Sequence, residues 1–126
     1  MTDKVADASA IAAVLFLEPG NEAVQQALAG CDLIAPALIR YELANVCLKK
    51  IRARPSERED LLQAFAAFEA FGIRETMVDF ADAIQLAETT RLSLYDASYL
   101  WLARHLDVEL VTLDAKLGKA AQKDGA

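Results

Sequence analysis

Short apolar runs alternate along the chain with longer stretches whose apolar residues recur at helical spacing, and that alternation sets the expected fold. Residues 4–7 read as a short buried strand entering a helix over 8–17, which stops at Glu18, Pro19 and Gly20. A second helix is predicted over 21–29 with Gly30 as its C-terminal stop, followed by a strand over 33–35. Pro36 is placed in the first turn of a helix running to about residue 53, where its missing backbone donor costs nothing. Pro55 and Ser56 end that helix and open another over 57–71, closed by Gly72. A strand over 73–78, helices over 79–91 and 95–106, a strand over 109–112 and a last helix opened by Asp114 complete the pattern.

Strands alternating with helices predict an α/β fold, a three-layer α/β/α sandwich with a small, mostly parallel central sheet. With no linker, repeat or low-complexity run, the 126 residues are read as a single domain over 1–126. In such sheets ligands bind at the carboxyl ends of the strands, near the point where strand order reverses. Functional residues are therefore sought where a strand gives way to a helix.

Composition narrows the field. An apolar fraction of 55% excludes a disordered chain, and the apolar run at 11–17 is far too short to span a bilayer. The first residues lack the basic and apolar regions of a secretory signal. Cys31 and Cys47 form no C-x-x-C motif, and Cys47 lies in an apolar helical pattern as a small buried hydrophobe. A reduced, cytoplasmic protein is the expectation. The net charge of −6 cuts against a simple nucleic-acid binder. Either the protein avoids polyanions or some carboxylates are there to hold cations, and the positions of the acids decide.

Asp7 ends the first strand at a helix start, and Asp114 follows the last strand and begins a helix. Asp96 lies in the first turn of another helix. Each could be no more than a helix cap. Glu42 is harder to dismiss, because Leu38, Ile39 and Val46 share its helical face and Asn45 lies one turn on. A carboxylate facing a core is costly unless it is paired or bound to metal, and an ion pair with a core-facing Arg or Lys stands as the alternative. If the four acids meet, they cannot all stay ionised without a counterion. All-oxygen ligation suits Mg²⁺ or Mn²⁺ rather than zinc. Such sites hold one or two metals, about 4 Å apart when paired, for phosphodiester hydrolysis. Ser9 and Thr112 are placed to bind carboxylate oxygens, or else are ordinary caps.

Four segments carry a family resemblance: Val5-Ala6-Asp7-Ala8-Ser9, Arg40-Tyr41-Glu42-Leu43-Ala44-Asn45, Leu92 through Leu100 with Asp96 at its centre, and Leu110-Val111-Thr112-Leu113-Asp114. Together they resemble the PIN-domain family and, more narrowly, its VapC-type toxin ribonucleases, over essentially the whole chain. The resemblance implies a metal-dependent endoribonuclease using Mg²⁺ or Mn²⁺, a homodimer, and neutralisation by a cognate antitoxin of a toxin–antitoxin pair. It carries the family's catalytic and metal-binding acids onto Asp7, Glu42, Asp96 and Asp114, and its supporting positions onto Ser9, Asn45 and Thr112. Trp101 departs from the family, which more often has a small residue there. A PIN nuclease of RNA processing and a non-catalytic RNA- or protein-binding module remain as alternatives.

A receiver domain would show an acidic pair ending the first strand, and a haloacid-dehalogenase-like phosphatase would show Asp-x-Asp, where this chain has Asp7-Ala8-Ser9. For an RNA substrate, phosphate contacts are sought in Lys49, Lys50, Arg52, Arg54 and Arg58, with Arg40, Arg104, Lys116 and Lys119 as further candidates. The same basic run would equally serve as a solvated helix end. The segment 61–71 is apolar around much of its circumference, which predicts cover by a second subunit or an antitoxin helix, unless the domain buries it on two sides. His105, the one histidine, is expected to be a lightly packed residue near a helix end.

Overall fold

The computed structural model describes residues 2–124, Asp124 for its backbone alone. Four strands, β1 (Asp3–Ala6), β2 (Asp32–Pro36), β3 (Arg74–Thr76) and β4 (Glu109–Val111), form one sheet in the order β3-β2-β1-β4. All three pairings are parallel: Val5 lies opposite Ile34 on one side and Leu110 on the other, and Ala35 lies opposite Glu75. Consecutive residues of β1, Val5 and Ala6, are both fully buried, as are Ile34 and Ala35 of β2, so helices must cover both faces. The α/β/α sandwich expected from the alternating pattern is the fold observed. Chain order moves outward from β1 through β2 to β3 and then jumps back to β4 on the far side. The reversal therefore falls between β1 and β4, and their carboxyl ends form the crevice where such sheets bind ligands.

The helices are α1 (Ala8–Leu15), α2 (Asn21–Leu28), α3 (Ile39–Ala53), α4 (Arg58–Ala66), α5 (Phe80–Thr90), α6 (Leu94–Leu106) and α7 (Ala115–Asp124). The central one is α6, which packs on β1, β2 and β4, with α5 and α7 beside it. Its side chains at Ala97, Ser98, Tyr99, Leu100, Leu102 and Ala103 are all buried, far more than one amphipathic stripe. On α1, Ala10, Ile11, Ala12 and Ala13 are buried among α2 and α3. Gly20, at φ +92°, makes the turn into α2, and a Cβ there would meet Leu113 Cδ1 at 3.2 Å.

The sequence pattern misplaces three details. Pro36 is not in a helix but is the last residue of β2, opposite Thr76, and α3 starts only at Ile39. A strand end tolerates the missing donor as well as a helix start does, so proline alone did not discriminate. The helix predicted over 57–71 is three pieces: a 3₁₀ turn at Pro55–Glu57, then α4, then a 3₁₀ turn at Ala67–Phe71 that tightens before Gly72 at φ +62°. Most of its apolar bulk is taken up inside the domain: Leu61 and Phe68 are buried, Phe65 and Phe71 half-buried, and the exposed apolar positions are Leu62 and three alanines. The most exposed large apolar side chains lie elsewhere, among them Tyr41 (81% exposed), Leu17 (77%), Met77 (76%), Phe80 (61%) and Ile84 (57%). His105 stacks on Trp101 with ring centroids 4.6 Å apart, which gives this larger residue a packing role on the outer side of α6.

Both cysteines are free, Cys47 buried against the Leu61 carbonyl. Among the described residues no helix is long and apolar enough to cross a membrane.

Candidate active site

Asp7 follows directly on β1 and caps α1, its Oδ1 accepting from the Ala10 amide at 3.0 Å. It is 3% exposed, so a carboxylate here has lost nearly all of its water. Two hydroxyls replace it. Ser9 Oγ donates to Oδ1 at 2.7 Å and Thr112 Oγ1 donates to Oδ2 at 2.6 Å. With their protons committed to Asp7, both hydroxyl oxygens are acceptors, and the backbone fills them. Leu113 N–H donates to Ser9 Oγ at 2.9 Å and Asp114 N–H donates to Thr112 Oγ1 at 3.0 Å. The turn after β4 is thus fastened to the turn after β1 through one carboxylate.

Asp114 caps α7, its Oδ1 accepting from Leu117 N–H at 2.8 Å. Asp96 does not cap. That task belongs to Ser93, whose Oγ accepts from the Asp96 amide at 3.0 Å. Asp96 is left in the first turn of α6 with its carboxylate free of capping duty. Glu42, on the first turn of α3, accepts a hydrogen bond at Oε1 from the Tyr99 hydroxyl at 2.6 Å. The alternative of an ion pair for Glu42 is not realised: among the described residues none of the four acids takes part in a salt bridge.

All four acids line one cleft of about 570 Å³, together with Ser9, Asn45, Lys49, Tyr99 and Leu113. Their electrostatics record the crowding. Burial, and then the charge of Asp114, holds the Asp7 carboxyl above the ordinary carboxylate range despite its three donors. Burial raises Glu42 too, reinforced by Asp96 and Asp7 against the opposing Tyr99 hydrogen bond. Asp96 is raised by burial and by Asp114 and Asp7, with Lys116 pulling the other way. Burial and the neighbouring carboxylates thus disfavour the charged forms of Asp7, Glu42 and Asp96, and a bound cation would relieve all three. The donor set, oxygen throughout, fits a hard divalent ion. As placed, no group of three acidic, histidine or cysteine side chains among the described residues is drawn tightly enough to grip an ion. A cation would have to pull these side chains inward.

The sequence matches the PIN domain over residues 4–123, nearly its whole length. The chain belongs to the PIN-domain family. This PIN domain is 32% identical over 120 residues to Ribonuclease VapC3 of Pyrobaculum aerophilum, covering 91% of the chain and 92% of that protein. Its fold is similar to the crystal structure of PAE2754 from Pyrobaculum aerophilum, with a TM-score of 0.70 and 21% identity, covering 92% of this chain and 82% of that one.

The other sequence candidates separate by surroundings. Lys49 lines the cleft and is exposed. Lys50 is tied to Glu18 and lies over the Phe16 ring at 5.4 Å, and Lys116 donates to the Arg91 carbonyl at 2.6 Å. Arg54 and Arg58 pair with Glu57 and Glu59. Arg40 is committed to structure, reaching Glu69 at 2.6 Å and Glu75 at 2.8 Å across the Phe68 ring. Tyr99 is the residue of the cleft that sequence reasoning missed. A tyrosine in an otherwise apolar helix needs a partner for its hydroxyl, and its place three residues after Asp96 puts it on the same face.

Proposed function

We propose that this chain is a divalent-metal-dependent endoribonuclease of the VapC toxin type, hydrolysing RNA phosphodiester bonds at the acidic cleft. The observation that carries the reading is the meeting of Asp7, Glu42, Asp96 and Asp114 in one cleft at the sheet's switch point, with no salt bridge among the described residues to offset them. The resemblance to a protein named Ribonuclease VapC3 supports the choice of RNA as substrate. Asp7, Asp96, Asp114 and Glu42 are assigned as the ligands of Mg²⁺ or Mn²⁺. Such an ion supplies Lewis-acid activation of water and neutralises charge at the scissile phosphate. The chain's own part is to orient that ion. Ser9 and Thr112 fix both oxygens of Asp7, so that this acid cannot rotate away, and Asn45 lines the cleft one turn beyond Glu42. Lys49 at the rim is placed to meet an RNA phosphate.

A homodimer and a cognate antitoxin complete the proposal. The exposed Tyr41, Met77, Phe80 and Ile84 support a second subunit, Phe80 and Ile84 sharing one face of α5. The deciding experiment is RNA cleavage with Mg²⁺ or Mn²⁺ by the wild type and by Asp7→Asn and Asp96→Asn. Cleavage is expected to need added metal, stop with chelator, and fall at least 100-fold in either variant, on the order of one lost catalytic group. Unchanged cleavage in both variants overturns the assignment.

A further inference from the structure

We propose that Tyr99 is a positioning residue: its hydroxyl pins one oxygen of Glu42 so that the other is presented to a divalent cation. This rests on the metal-nuclease reading of the cleft and adds to it a residue outside the acid set. Tyr99 is 1% exposed, with its ring in the core and its hydroxyl at the cleft, donating to Glu42 Oε1 at 2.6 Å. The second carboxylate oxygen of Glu42 accepts no hydrogen bond from any described residue.

Packing alone does not call for that hydroxyl, since phenylalanine would fill the same space. Glu42 does call for it. A glutamate has three rotatable side-chain bonds to fix, and this one shares its cleft with the carboxylates of Asp7 and Asp96. A tether must therefore hold it in place. Lysine or arginine would do so by cancelling the charge and occupying the space of the cation. A tyrosine hydroxyl orients the carboxylate and leaves its charge in place, and the ring has only two torsions to fix.

The test is calorimetric titration of Mn²⁺ against the wild-type protein, Tyr99→Phe, Glu42→Gln and the double variant, with a thermal melt of each without metal. Tyr99→Phe is expected to bind Mn²⁺ about tenfold more weakly while its metal-free melting temperature stays within roughly 4 °C of wild type. In the Glu42→Gln background the same substitution is expected to cost nothing further, because its effect runs through Glu42. Wild-type affinity in Tyr99→Phe, or a full tenfold loss persisting beside Glu42→Gln, overturns the positioning role and leaves the metal site standing. No Mn²⁺ binding by the wild type overturns the metal site and the positioning role together. If Tyr99→Phe does not fold, Tyr99→Met, apolar and without a donor, takes its place. A tenfold loss of Mn²⁺ affinity that disappears beside Glu42→Gln supports the role, and wild-type affinity overturns it.

Discussion

Thr112 donates its hydroxyl proton to Asp7 Oδ2 at 2.6 Å across 105 residues of sequence, joining the carboxyl ends of β1 and β4. Thr112 Oγ1 in turn accepts from the Asp114 amide, so one hydroxyl orients a buried acid and the backbone of a second. Thr112→Val keeps the shape of the side chain and removes both interactions. A hydrogen bond to a charged group is worth about 1.5–3 kcal/mol, and a loss of that size is expected in denaturant unfolding without metal. Mn²⁺ affinity is expected to fall in parallel, which calorimetry would measure.

The raised carboxyls make stability depend on pH in a definite direction. Asp7, Glu42 and Asp96 bind protons more tightly in the folded chain than ordinary carboxyls, whose values are 3.8 for Asp and 4.5 for Glu. Folding therefore takes up protons in a window that opens near those values and runs upward. The stability these groups contribute is present below the window and lost as pH rises through it. Without metal, the melting temperature of the wild type is expected to fall relative to Asp96→Asn as pH rises above the ordinary carboxyl values. A parallel pair of melting curves would refute this.

Excess Mn²⁺ is expected to reverse that slope. A cation binds the ionised carboxylates, so it competes with protons and stabilises most where the bare site is least comfortable. Melts with millimolar Mn²⁺ or with chelator would show the crossover, and Asp96→Asn would lose most of it.

Lys49 stands at the cleft rim, exposed and outside any salt bridge among the described residues. Lys49→Ala is expected to weaken RNA binding and lower the salt slope of binding by about one. Mn²⁺ affinity should stay at the wild-type level. An unchanged salt slope would remove Lys49 from the RNA path.

How far the sequence carried depended on whether a residue's role was local. Asp7 and Asp114 were legible because each follows a strand and opens a helix, and a parallel sheet binds ligands at that edge. Glu42 was legible because helical spacing placed it among Leu38, Ile39 and Val46. Its partner was not: Tyr99 lies 57 residues away, and no pattern on either helix encodes their approach. Arg40 misled for the same reason. It sits next to Glu42 in sequence, yet its partners Glu69 and Glu75 come from a different part of the fold. Asp96 looked like a cap until Ser93 was seen to hold that position, and losing the capping role strengthens its case as a ligand. At 61–71 the structure favours the alternative of burial within the domain, because periodicity counts apolar residues without weighing size, and three of the four exposed ones there are alanines.

The fastening of Asp7 by Thr112 also bears on when the protein can be active. As a ribosome makes the chain, Asp7 emerges more than a hundred residues before Thr112 and Asp114. Until β4 docks beside β1, Asp7 lacks one of its two hydroxyl donors and the cleft lacks Asp114. A nascent or prematurely truncated chain that stops before residue 112 therefore has no complete acid set, however well its first helices form. The complete acid set is thus confined to chains whose synthesis has passed that point.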